Sequence, residues 1–77
     1  DGKRGFWRTS SKRGVPDILC CANGRFIGIE VKTSTGRLRP DQIAFREGFE
    51  LAGGIFILAR SLKDAQEGFH NATKMVQ

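Results

Sequence analysis

Apolar residues in this chain come in short runs punctuated by Gly, Pro and Asn, and their spacing switches between strand-like and helix-like periods. Asp17-Ile18-Leu19-Cys20-Cys21-Ala22 reads as a strand, and Arg25 to Thr33 as its β-branched return. Between them lies Asn23-Gly24, the strongest short signal for a two-residue hairpin. Ahead of this hairpin, Phe6 to Thr9 suggests a short strand and residues 10–13 a polar, basic loop. Pro16 lacks a ladder donor and biases Val15 to extended geometry, so residues 14–16 form a turn or an extended approach. After a loop over 34–39, Pro40 suits the first position of a helix. From Gln42, the residues Phe45, Phe49 and Ala52 return on one helical face, and Gly53-Gly54 ends the helix near Ala52. Ile55 to Ala59 is the continuous apolar run of a buried strand. Ser61, with Asp64 three positions on, starts a second helix that runs into the low 70s. A helix between strands is the size of a crossover, so the last strand is expected parallel to one hairpin strand. The predicted fold class is α/β, a mixed sheet flanked by helices.

At 77 residues with 39% hydrophobic content, the chain is expected to form a single small domain over 1–77. A domain this small buries only about 60% of its unfolded surface, so a missing segment or a partner subunit is expected to help it. No apolar run approaches the roughly 20 residues of a membrane span, and no signal peptide is recognisable. Cys20 and Cys21 are adjacent, point to opposite faces of a strand and lack zinc-ligand spacing, with His70 the sole histidine. They read as buried, reduced thiols, which fits a cytoplasmic protein.

The net charge of +5 is uneven: residues 1–39 carry nine Lys or Arg against three acids, and residues 40–77 four against five. A basic half suggests a polyanion such as nucleic acid, the plain alternative being a solvated basic surface. Two of those acids meet in the hairpin. A two-residue turn pairs Ala22 with Arg25, Ile18 with Ile29 and, one step further, Asp17 with Glu30. Lys32 and Gly28 share that face, while Ile18, Cys20, Ile27, Ile29 and Val31 form the core face. Like charges placed opposite one another destabilise a sheet. A shared proton, Lys32 or a divalent cation would offset the repulsion, and Mg²⁺ suits carboxylate oxygens and retained waters. A charge ladder on an edge strand is the alternative. Gly28 leaves room for a ligand or another backbone. Gln42, in the first turn of the aromatic face, either points at the polar end of the sheet or makes a helix-terminal hydrogen bond.

Gly14-Val15-Pro16-Asp17 followed by Gly28-Ile29-Glu30-Val31-Lys32 resembles the PD-(D/E)xK nuclease motif. Thr33, Gly36-Arg37-Leu38, Gln42 and Gly53-Gly54 before an apolar strand resemble the VRR-NUC branch of that superfamily, as does Phe6-Trp7-Arg8. The resemblance implies a restriction-endonuclease-like fold and a DNA endonuclease using Mg²⁺ or Mn²⁺. It implies Asp17, Glu30 and the Val31 carbonyl as metal ligands, Lys32 at the attacking water and the phosphate, and Gln42 in support. Similarity to stand-alone phage and bacterial members implies a homodimer cutting branched DNA such as Holliday junctions, as in DNA repair. Lys3, Arg4, Arg8, Lys12, Arg13, Arg37 and Arg39 become candidate phosphate contacts, and Trp7 a packing or base-stacking residue. An inactive nucleic-acid-binding module, or the nuclease part of a larger repair or restriction protein, are the alternatives. The helix that usually precedes the motif, with a further glutamate, has no counterpart here, so the start is expected to be truncated or completed by a partner. Arg39 stands where a small helix cap is usual, which costs about 1 kcal/mol of capping.

Overall fold

The Asn23-Gly24 turn has both residues in the left-handed region, at φ 53° and 78°, the geometry whose twist matches that of a hairpin. It joins β2 (Ile18–Ala22) to β3 (Arg25–Val31) in the predicted register, with Ile18 opposite Ile29 and Ala22 opposite Arg25. The structure, a computed structural model, describes residues 6–9, without their side chains, and 13–74. β1 (Phe6–Thr9) pairs antiparallel with β2, with Trp7 opposite Cys20. α1 (Pro40–Leu51) crosses over, and β4 (Ile55–Ala59) runs parallel to β3, giving the order β1-β2-β3-β4. α2 (Leu62–Lys74) closes the described fold. The expected mixed sheet with flanking helices is therefore present.

Strand alternation gives each helix one face of the sheet. Beneath α2 lie Cys20, Ala22, Ile27, Ile29 and Ala59, joined by Ala72 of the helix, with Ile55, Ile57 and Phe69 around them. Val31, expected in this core, is 52% exposed. It ends β3 opposite Ala59, the last residue of β4, where the turn into α2 leaves it uncovered. Cys20 is buried but Cys21, on the other face, is only partly so, which corrects the expectation of two buried thiols. Burial first, and the neighbouring Cys21 second, push the Cys20 thiol pKa up, making it a poor nucleophile.

The starts and stops of the helices follow local chemistry. Ser61 Oγ accepts from Asp64 N at 3.0 Å, and the Asp64 carboxylate accepts from Arg60 N at 3.0 Å. α1 ends when Gly54 N reaches Phe49 O and Gly53 N reaches Glu50 O, a Schellman cap with Gly53 at φ 99°. Ala52, placed by its spacing on the packing face, caps this end and is exposed. Phe45 and Phe49 stack 5.3 Å apart. Phe49 also lies over Gly28, whose missing side chain is filled by protein rather than ligand. A Cβ there would stand 2.9 Å from Cγ of the buried Pro16 and 3.4 Å from the Phe49 ring.

Gly28→Ala is therefore expected to cost about 1–3 kcal/mol through overpacking against a rigid proline ring. Urea unfolding measures this, and an unchanged midpoint would show that the proline has room to move.

Candidate functional site

The candidate side chains gather where the parallel strands β3 and β4 end and α1 begins, the end of an α/β sheet at which ligands usually bind. Asp17 lies one residue before the β2 ladder. Packing of Pro16 on Gly28 fixes the chain there, and Asp17 Oδ2 accepts from Val31 N at 2.9 Å. The predicted pairing of Asp17 with Glu30 thus becomes a clasp between strand ends. The Asp17 carboxylate holds the β3 backbone, and the Asp17 backbone amide supports the Glu30 carboxylate.

Glu30 is 4% exposed, and so is Gln42. Gln42 Nε2 donates to Glu30 Oε2 at 2.9 Å, while Gln42 Oε1 accepts from Arg39 N at 2.8 Å. Both readings of this glutamine hold at once. Its oxygen completes the helix start that Arg39 leaves uncapped, and this orients its nitrogen toward the carboxylate. Lys32 Nζ stands 3.7 Å from the same oxygen, its side chain 16% exposed. Glu30 is therefore not a solvated rung of an edge ladder. Burial pushes its carboxyl pKa above the ordinary value, and the Asp17 charge adds to the rise. Lys32, the Asp17 amide and Arg39 act in the opposite direction.

Among the described residues no three His, Cys, Asp or Glu side chains form a cluster. A cation here would rest on Asp17 and Glu30, with a backbone carbonyl such as that of Val31 and water. This is a hard, all-oxygen donor set that fits Mg²⁺ or Mn²⁺. The buried Glu30 carboxylate, repelled by the exposed Asp17, fits it too, because a cation would offset both effects that raise the Glu30 pKa.

The basic candidates separate. Arg39 binds Asp41 through Nε at 3.1 Å and Nη2 at 3.3 Å, and Arg13 Nε lies 3.6 Å from the same carboxylate. Asp41, which sequence reasoning left out, ties these two arginines together at the start of α1. The Arg39 hydrogen bond foremost, with the Arg39 and Arg13 charges, holds its carboxyl pKa below the usual range. Arg37 is exposed and has no partner among the described residues. Lys3, Arg4, Lys12 and the side chains of Trp7 and Arg8 lie outside the described residues.

Arg60 was missed. Its Nη1 donates to Thr33 O at 2.7 Å and to Gly36 O at 2.6 Å, while Lys32 N bonds Ala59 O at 3.0 Å. The end of β4 therefore grips the loop that follows Lys32. The available signal was an arginine directly after the apolar strand, at the ligand-binding end of a parallel pair.

No protein-family profile and no curated protein matches the chain. Among solved structures it is similar to one described as a "VRR_NUC domain", with TM-score 0.71 and 24% identity over 86% of this chain and 76% of that one. The chain thus has the α/β fold of that VRR_NUC domain. Among the described residues no helix is long and apolar enough to cross a membrane.

A carboxyl whose pKa is raised by folding stabilises the fold below its unfolded value, near 4.5, and loses that contribution as pH rises through the folded value. Glu30→Gln should therefore raise the melting temperature of metal-free protein at mildly alkaline pH, and the gain should shrink on acidification. Thermal melts across pH test this. A variant less stable than the parent at alkaline pH would mean that Lys32 and Gln42 outweigh burial.

Proposed function

We propose that this chain is a divalent-metal-dependent nuclease that cuts phosphodiester bonds within DNA. The observation that carries the reading is the grouping of the buried Glu30, the Asp17 clasp and the Lys32 amine at one end of the sheet. The VRR_NUC fold and the basic half of the chain support it. Asp17 and Glu30, with the Val31 carbonyl, would hold Mg²⁺ or Mn²⁺. The bound cation would supply a Lewis acid at the phosphate and a lowered pKa for water. Lys32 would place positive charge where negative charge develops on the phosphate oxygens and would contact the attacking water. Gln42 fixes which Glu30 oxygen is hydrogen-bonded, and so positions the carboxylate without touching the substrate. Arg13, Arg37 and Arg39 would contact the DNA backbone, with Arg8 and Lys12 as further contacts.

The reading extends to branched DNA and a homodimer, in which a two-fold axis would present two such sites to the two strands of a junction. A cleavage panel with Mg²⁺ or Mn²⁺ tests it, using a four-way junction, a 5′ flap, single-stranded DNA and plain duplex. Preferred cutting of the junction supports the full reading. Equal cutting of duplex removes structure selectivity, and binding without cutting makes the chain a binding module.

Lys32→Ala should lower cleavage by about 10²–10³-fold, the scale of a lost transition-state charge contact, while DNA binding measured with Ca²⁺ persists. Unchanged turnover would remove Lys32 from the mechanism. Asp17→Asn should weaken Mn²⁺ binding in calorimetry with the circular dichroism retained, and an unaltered affinity would refute its role as a ligand.

A further inference from the structure

Next to Lys32 lies an open cleft of about 750 Å³, of whose lining the nuclease reading uses Arg37 alone. It is bounded by the 34–38 loop, the outer side of α1 and the end of β4. Among the described residues three cations line it, Arg37, Arg46 and Arg60, and no carboxylate does. Three aliphatic side chains, Leu38, Ile43 and Leu58, form its apolar wall.

Two of the arginines are held by the fold. Arg60 is fixed on the Thr33 and Gly36 carbonyls. Arg46 lies 5.2 Å over the Phe56 ring, with its Nε 3.4 Å from Glu50. Arg37 is exposed and has no partner among the described residues. The cleft adjoins Lys32 through Gly36 of its lining. Gly36 lies close against Lys32, since a Cβ on Gly36 would stand 3.4 Å from Lys32 Cβ.

We propose that this cleft is the subsite for the nucleotide flanking the scissile phosphate. Arg37 takes the flanking phosphate, Arg46 adds charge, and the sugar and base lie along Leu38, Ile43 and Leu58. A free inorganic anion would have no use for the aliphatic wall. A nucleotide, charged at one end and largely apolar along its faces, matches both halves of the lining, and the volume lies within the range of about 300–1,000 Å³ typical of small-ligand sites. Arg60 is a positioning residue here, because it holds the loop that carries Arg37 against the Lys32 strand. The proposal rests on the nuclease reading.

The test uses the intact chain and a DNA that it cuts. Arg37→Ala should reduce the salt slope of DNA binding by about one, the signature of a lost phosphate contact. It should also raise KM severalfold while kcat holds. Lys63→Ala, in α2, whose ammonium lies 3.9 Å from Glu67 and does not line the cleft, should change neither. An abasic flanking nucleotide should weaken binding to the parent but not to Ile43→Ser, whose wall is already broken. Unchanged slope and KM for Arg37→Ala, in a chain that cuts DNA, would overturn the subsite and leave the nuclease reading standing. A parent chain that neither binds nor cuts any DNA would overturn both.

Discussion

A carboxylate withdrawn from water is costly unless hydrogen bonds and opposite charge surround it, and Glu30 imposes that constraint on the whole polar end of the sheet. Gln42 answers it from α1, Lys32 from just beyond the end of β3, and the Asp17 amide from the neighbouring chain segment. The helix is placed by the same requirement. Gln42 reaches Glu30 with its nitrogen because its oxygen is already committed to Arg39 N at the helix start. That start also brings the positive end of the helix dipole toward the buried anion, where it is favourable.

Several residues of the motif serve packing and chemistry together. Pro16 is a buried ring seated on Gly28, and this contact places Asp17 beside the β3 terminus. Asp17 stitches that terminus with one oxygen. Arg60 then fastens the loop beyond Lys32 from the other side. The site is therefore held on three sides, by the turn before β2, by the first turn of α1 and by the end of β4. The same packing retains a carboxyl whose charged form burial and the Asp17 charge disfavour, a local loss of stability.

Much of this is legible in the sequence. Asn23-Gly24 fixed the hairpin register, because two left-handed residues leave one pairing that keeps Ile27 and Ile29 on the core face. Pro40, Gly53-Gly54 and Ser61 marked the helix ends through chemistry confined to a few neighbouring residues. Asp17, Glu30 and Lys32 could be assigned to one face of the hairpin, while Gln42 stayed open between the polar end of the sheet and a helix-terminal hydrogen bond. Less legible were the partners. Asp41 bridging Arg13 and Arg39, and Arg60 gripping carbonyls 24 and 27 residues away, depend on how α1 and β4 dock.

The sequence by itself determined the elements, the hairpin register and the identity of the clustered polar groups, since each follows from backbone preferences and from periods of two and 3.6 residues. The tertiary structure decided what those groups do to one another. It buried Glu30 while leaving Asp17 exposed, filled the space over Gly28 with Pro16 and left Val31 in solvent. It also aimed Gln42 at both Arg39 and Glu30. These outcomes depend on which surfaces the helices cover, a property of non-local packing that no local spacing encodes.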